Sequence, residues 1–363
     1  MLSVRSAALV ALIVVGCAPT ASGPTPPAST SPTQPATASA TLPARFQDSS
    51  SPLPAVAGAL VLFQLPSETG LHAISFGAEV NGILGGQVAQ TTPGAGWSQS
   101  PYGVPYLVGT TAYGRDGKAL GPIPWPATAT KTWSSEGRFL CAAVPAAATA
   151  GAQMRLERAV IGQPAKVIAS GYTTYSDNAS YRVLACDEGT DRAIVASFGQ
   201  GVAAGRLWVF RLSTGAVVRS VDYAGGWVAA SADGSTLAES VRQSGGGKWT
   251  ATIRSADDGA QLGTIDDFAV QGFSGDKTLV VGPAGGTALA PGGPTVAVID
   301  WKARRKVWTT SGPYGGFLAE PAGRRLAVGV GFVGGSDQRD VYLVAPDGAA
   351  VLLPARVRVA LLY

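Results

Sequence analysis

Few residues in this chain could do chemistry, and their scarcity already excludes several reaction classes. Among 363 residues there is one histidine, His72, and there are three cysteines, Cys17, Cys141 and Cys186. A single imidazole cannot furnish a multi-histidine metal shell. Any serine–histidine–acid arrangement would have to use His72, which lies in a strand pattern and in no nucleophile motif. No Gly-x-Ser-x-Gly elbow occurs, and the glycine runs at Gly245-Gly246-Gly247 and Gly292-Gly293 precede no helical period. No catalytic residue, metal ligand or cofactor is therefore predicted. Asp257-Asp258 and Asp337-Gln338-Arg339-Asp340 lack the ligand density of a calcium loop. Three other acids, Asp222, Asp266 and Asp267, each follow an expected strand. With Tyr223 and Tyr314 they are candidates for a ligand-binding mouth, and two converging carboxylates would suit acid–base chemistry on a glycosidic bond. The other reading of these acids is solvated loop positions. Trp97 and Trp125 sit in Gly/Pro-rich stretches and are candidates for exposed ligand contact, whereas Trp133, Trp227, Phe273 and Phe317 recur at one repeat position and are expected to pack.

Cys17 has a context of its own. Arg5 supplies one positive charge, an apolar run extends from Ala7 to Val15, and Gly16 precedes the cysteine. The run is shorter than the ~20 residues needed to span a bilayer, so a cleaved export signal over 1–16 is expected. Val14-Val15-Gly16-Cys17 resembles the lipobox of bacterial lipoproteins. That resemblance implies a diacylglyceryl group on the Cys17 thiol, further acylation by fatty acids such as palmitate, and extracytoplasmic anchoring to the cell membrane. Ala18 stands where some such proteins carry an inner-membrane retention aspartate. Residues 17–54 are rich in Ala, Pro, Ser and Thr, with no charge before Arg45. This composition cannot offset the entropy of ordering, so a disordered, polyproline-biased linker is expected. A glycosylated stalk fits the same composition.

The remaining span, 55–363, is expected to be one all-β domain. The chain has 48 glycines, is 46% hydrophobic and only 14% charged, and long polar helix formers are few. The net charge of +4 is too small and too scattered for a nucleic-acid partner. With Cys17 acylated, Cys141 and Cys186 form an even pair, which reads as a disulfide in an oxidising compartment or as two buried thiols.

A repeat gives the architecture. Strand–turn–strand units turn at Thr69-Gly70, Asp116-Gly117, Ile161-Gly162, Thr214-Gly215, Asp258-Gly259, Ala303-Arg304 and Asp347-Gly348, at intervals of 44 to 53 residues. A second hairpin lies between them, clearest at Ser231-Ala232-Asp233-Gly234-Ser235-Thr236-Leu237-Ala238 and again around Asp276, Gly323 and Glu136-Gly137. Two hairpins per ~45 residues make one four-stranded blade. The pattern resembles WD-like and YVTN-like β-propellers, without the Gly-His pair or a strand-ending Trp-Asp. The resemblance implies a β-propeller of seven four-stranded blades, with the tail Arg356–Tyr363 pairing into the first blade to close the ring. An all-β sandwich pair is the structural alternative.

The functional expectation is a monomeric, membrane-anchored binding or scaffold propeller for a protein, peptide or glycan. The alternatives are a structural part of an envelope assembly, or an enzyme: a carboxylate-based hydrolase or lyase, or a quinone-dependent dehydrogenase. The last would want repeated Gly-x-x-x-Trp motifs, which are not evident.

Overall fold

The computed structural model describes residues 59–65, 70–77, 96–114, 117–127, 129–145, 153–173, 180–198, 204–224, 226–243, 248–284, 295–331, 338–353 and 356–359. The expected export signal, Cys17, the linker and the two glycine runs lie outside the described residues. Strands and turns account for the regular structure, and no helix occurs among the described residues.

The first element is a hairpin of β1 (Leu60–Gln64) and β2 (Leu71–Ser75), paired from Leu60↔Ser75 to Gln64↔Leu71. Five separate four-stranded antiparallel sheets follow, each in chain order. They are β3–β6 (Trp97–Gln99, Tyr106–Val108, Thr111–Tyr113, Ala119–Pro122) and β7–β10 (Thr130–Trp133, Phe139–Pro145, Gln153–Val160, Lys166–Thr173). Next come β11–β14 (Ser180–Asp187, Arg192–Phe198, Ala204–Arg211, Val217–Ala224) and β15–β18 (Gly226–Ala230, Thr236–Arg242, Trp249–Ser255, Gln261–Asp266). The fifth is β19–β22 (Gly272–Phe273, Leu279–Ala284, Thr295–Asp300, Arg305–Ser311). The chain ends in β23–β27 (Tyr314–Ala319, Leu326–Val330, Gln338–Val344, Ala350–Leu352, Val357–Val359).

The end of the chain departs from the expected seven equal blades. β25 changes partner along its length: Tyr342, Leu343 and Val344 pair with β26, while Gln338 and Arg339 pair with β27. β27 in turn pairs with β1 through Phe63↔Val359 and Gln64↔Arg358. The expected pairing of the tail into the first hairpin is thus present. It merges β23–β26 with β27, β1 and β2 into one seven-stranded sheet.

Packing explains why the middle strands are apolar along their whole length. β20 and β24 are buried almost end to end, whereas the fourth strands β6, β18 and β22 are mostly exposed. A strand covered by neighbours on both faces loses the alternating pattern and becomes a short apolar run. Each apolar cluster is shared between successive sheets. Phe139, Met154 and Leu156 of β8–β9 meet Tyr181, Trp208 and Phe210 of β11–β14. Leu279 and Val281 of β20 meet Phe317 and Val328. Val61 and Phe63 meet Val341, Leu343 and Val357. Leu60 and Leu62 meet Tyr106. Each fully buried Leu, Val or Phe contributes roughly 1.5–3 kcal/mol. A buried side chain adds a link where β1 meets β3: Gln99 Nε2 donates to the Leu60 carbonyl (2.9 Å), and its Oε1 accepts from the Leu62 amide (2.8 Å). Cys141 of β8 and Cys186 of β11 form a disulfide between adjacent sheets.

Turn chemistry sets the hairpins. Gly215 adopts φ +71°, and a Cβ there would lie 2.0 Å from the Ile168 carbonyl oxygen, so no other residue fits. Arg304 takes the same conformation without glycine (φ 53°).

The Ser-x-Asp-Gly turns are fastened from within. The Ser231 hydroxyl donates to Asp233 (2.6 Å) and accepts from the Thr236 amide (3.0 Å). Ser274 makes the same pair of bonds to Asp276 (2.6 Å) and the Leu279 amide (3.0 Å). Each carboxylate also ties its sheet to the next: Lys277 donates to Asp233 (2.6 Å), and Arg324 lies 3.3 Å from Asp276. Asp187, at the end of β11, accepts from Ser135 of the preceding sheet. Burial pushes all three carboxyls up. The bonds to Asp233 from Lys277, Ser231 and Ser235 outweigh it, as do those to Asp276 from Ser274 and Thr278 and those to Asp187 from Ser135, Thr190 and Glu136. All three are therefore held below the ordinary carboxylate range.

Such carboxyls bind protons more weakly in the folded than in the unfolded chain, so their contribution is complete above the unfolded pKa of ~3.9 and is lost as pH falls through the lower folded values. Thermal unfolding followed by circular dichroism is expected to give a Tm that is flat above about pH 5 and falls steeply below about pH 4. Asp233→Asn should lower the plateau and make the acid limb shallower; an acid limb unchanged by this substitution would contradict the assignment.

Candidate functional site

The first strands of the sheets converge on one channel. A cavity of about 100 Å³ is lined by Gln99 of β3, Trp133 of β7, Leu184 of β11, Ala230 of β15, Phe273 of β19, and Phe317 and Leu318 of β23. Six sheets therefore contribute to one wall. A second cavity of about 190 Å³ shares Thr132, Leu184, Ala230 and Phe317 with the first and adds Lys131, Arg182, Val228 and Gln271. The channel thus has an apolar stretch and a polar, cationic stretch toward the starts of the inner strands. Neither wall contains a carboxylate among the described residues.

The cationic stretch has distinctive electrostatics. Arg182 and Leu184, two apart on β11, share a strand face. Burial lowers the pKa of Arg182 and raises that of the Tyr314 hydroxyl, and each group partly offsets the other's shift. β11 and β23 belong to sheets that are not neighbours in the chain, so this interaction reaches across the channel. The Tyr314 hydroxyl is buried without a hydrogen-bond partner among the described residues. Burial also lowers the Lys131 pKa, and its ammonium donates to the carbonyls of Ala127 (3.0 Å) and Ala129 (3.4 Å). Gln271 is largely buried on the same wall, and its backbone amide donates to the Val281 carbonyl.

The candidate residues from the sequence do not assemble into one site. Asp222 is exposed and pairs with Arg206 (2.6 Å), and Asp267 pairs with Lys248 (3.4 Å). Asp266 is exposed at the end of β18, paired across the sheet with Thr250. None of the three lines the channel. Tyr223 is buried between sheets, where its hydroxyl donates to the Ser197 carbonyl (2.6 Å). It borders a separate cavity of about 270 Å³ with Arg219, Glu239 and Arg254. Burial, and after it the Glu239 carboxylate, pushes its pKa up.

The aromatic expectations divide. Trp125 is not an exposed contact residue: it is 4% exposed, and its indole N–H donates to Glu157 (2.7 Å). Trp97 is half-buried against the Leu60–Tyr106 cluster. Trp133, Phe273 and Phe317 pack as expected and also border the channel, whereas Trp227 is 42% exposed rather than packed. Ala230, not Trp227, occupies the register of Trp133 and Phe273, directly before the turn serine. Lys131, Arg182 and Gln271 were missed as site residues. The available signal was a cation near the start of an inner strand, two or three residues before an apolar channel position.

No protein-family model and no characterised protein sequence matches this chain. Solved structures do resemble it in fold. A prolyl endopeptidase, one of two analysed for inter-domain dynamics in catalysis and specificity, is 12% identical with a TM-score of 0.52, over 83% of this chain and 48% of that one. TolB from Acinetobacter baumannii is 14% identical with a TM-score of 0.43, over 73% of this chain and 62% of TolB. The Dos1 propeller is 13% identical with a TM-score of 0.41, over 79% and 81%. This chain spans about half of the prolyl endopeptidase and about three-fifths of TolB. At such identities the likeness is one of fold alone, and the fold is an all-β propeller.

Proposed function

We propose that this protein is an extracytoplasmic lipoprotein whose propeller serves as a ligand-binding head. In this reading Cys17 carries the lipid, 17–54 is the spacer, and the propeller is the head. The lipobox-like Gly16-Cys17 and the apolar run before it support the anchor. The Cys141–Cys186 disulfide supports an oxidising compartment. We read the merged sheet as two blades, β23–β26 and β27–β1–β2, making a ring of seven. The succession of shared apolar clusters supports this, since those joining β1–β2 to Tyr106 and to β23–β25 complete a cycle.

The observation that carries binding over catalysis is the channel wall, which is apolar and cationic. The acids that a hydrolase or lyase would use, Asp222 and Asp267, are instead paired with cations on the periphery. The test uses the full purified chain with a panel of envelope-derived peptides, sugars and small acids, read by thermal shift and by product mass spectrometry. At least one compound should raise Tm, and Thr130→Trp at the exposed rim of the cationic cavity should abolish the shift, with every compound recovered unchanged. Turnover of any compound, or a shift indifferent to Thr130→Trp, would overturn this reading. A mature N-terminus lacking acylated Cys17 would overturn the anchor.

A further inference from the structure

We infer that the cavity between the sheets β11–β14 and β15–β18 is a second binding site, for a small zwitterion whose carboxylate and ammonium stand at opposite ends of a short hydrocarbon chain. Arg219 and Arg254 hold the carboxylate, Glu239 faces the ammonium, and the chain lies along Leu207, Val221 and Leu237. The inference goes beyond the channel reading and does not depend on it.

Strand alternation puts these residues on two facing surfaces. Arg219, Val221 and Tyr223 occupy every second position of β14 and share one face, and Leu207 pairs with Val221. On the next sheet Leu237 pairs with Arg254, and Glu239, two residues on, pairs with Val228. Together they line the cavity of about 270 Å³. Arg219, Val221, Glu239 and Arg254 are each partly exposed, so the cavity opens to solvent.

The charges are sorted to the two ends. Arg219 Nη1 donates to the Ser255 carbonyl and Arg254 Nη1 to the Gly259 carbonyl, both at 3.3 Å, which places both guanidiniums beside the Asp258-Gly259 turn. Asp258, exposed on that turn, has its pKa lowered by hydrogen bonds from Ala260 and Ser255 and, more weakly, by the Arg219 charge, without an ion pair to it. A guanidinium has five N–H donors, so each arginine keeps donors for a guest. Glu239 lies toward the other end and faces Tyr223, whose hydroxyl is committed to the Ser197 carbonyl. Among the described residues the Glu239 carboxylate makes no hydrogen bond, and neither guanidinium is within ion-pair distance of it. Ser255 pairs with Thr236, three residues before Glu239, so the cations and the acid stand roughly 10 Å apart along the strand.

Opposite charges held apart across a cavity are complementary to a guest that carries the reverse pair. Two guanidiniums suit the two oxygens of a carboxylate. The apolar side chains between the ends suit a hydrocarbon spacer, and an α-amino acid, with both charges on one carbon, cannot reach both ends. A cavity of ~150 Å³ accommodates a benzene ring, so about 270 Å³ admits five carbons with a charged group at each end.

Calorimetric titration of the full chain with 5-aminopentanoate, pentanoate, 1-aminopentane and leucine tests the inference. 5-Aminopentanoate should bind, pentanoate and 1-aminopentane at least about tenfold more weakly, and leucine should not compete. Glu239→Gln should weaken 5-aminopentanoate about tenfold and leave pentanoate unchanged, so that the preference between them disappears. Arg254→Gln should weaken both acids. Unliganded circular dichroism spectra and Tm values establish that each variant is folded, and the comparison among ligands needs no variant. Absence of 5-aminopentanoate binding at millimolar concentration overturns the inference. So does equal binding of pentanoate, which makes the site a plain anion site, or of 1-aminopentane, which makes it a cation site. Competition by leucine, or indifference of 5-aminopentanoate to Glu239→Gln, overturns it as well. 5-Aminopentanoate stands outside the panel used for the channel, so neither result decides the other.

Discussion

Replacing Cys141 and Cys186 together with alanine is expected to lower the free energy of unfolding by about 4 kcal/mol. The bridge joins β8 to β11 across 45 residues of chain. A loop of that length, left open in the unfolded state, regains conformational entropy of this order. Both residues are fully buried in the cluster between their sheets, so reduction also leaves two thiols where a compact bridge filled the space. Chemical denaturation of the double variant, and of the unaltered chain with and without reductant, measures the effect. The reduced protein should match the variant within about 1 kcal/mol. A loss below about 1 kcal/mol in both would mean that the sheet–sheet packing alone holds this pair of blades.

Val357→Asp is expected to cost a similar amount, about 4 kcal/mol, through a different mechanism. Val357 is fully buried in the cluster of Val61, Phe63, Val341 and Leu343, on the strand that pairs with both β1 and β25. The substitution removes an apolar side chain from the core and places a carboxyl among apolar neighbours. Because β27 is the only described strand joining the first hairpin to the last sheet, the damage should spread to β1–β2 and leave unpaired edges open to aggregation. Hydrogen exchange should show lost protection in Leu60–Gln64 before the other sheets. Leu352→Asp, on the neighbouring β26 and 40% exposed, is the control and should cost less than about 1 kcal/mol. Equal losses at the two positions would contradict a closing role for β27.

Much of the architecture was legible because it is written locally. Thr214-Gly215 and Asp258-Gly259 impose positive φ at defined points, and the apolar runs between them can only be strands covered on both sides. Ser231-Ala232-Asp233-Gly234 closes its own turn with its own side chains, so the inner hairpin can be read from eight consecutive residues. The site was less legible. Trp133 and Trp227 look equivalent in the sequence, but Trp133 shares its register with Ala230, directly before the turn serine, and Trp227 lies three residues earlier, where it is exposed. Asp222 and Asp267 look available in the sequence, but Arg206 and Lys248 sit across their hairpins.

The strand-and-turn rhythm and the pairing of Cys141 with Cys186 were readable in the sequence. Each depends on short-range chemistry, or on there being no other partner to choose. The channel was not. Lys131, Arg182, Gln271 and Phe317 come from four sheets and are far apart in the chain; none is informative beside its sequence neighbours. Closing the sheets around one axis brings them to the wall of one cavity. That meeting is a property of the assembled sheets and of no single one, so only the tertiary structure could decide it.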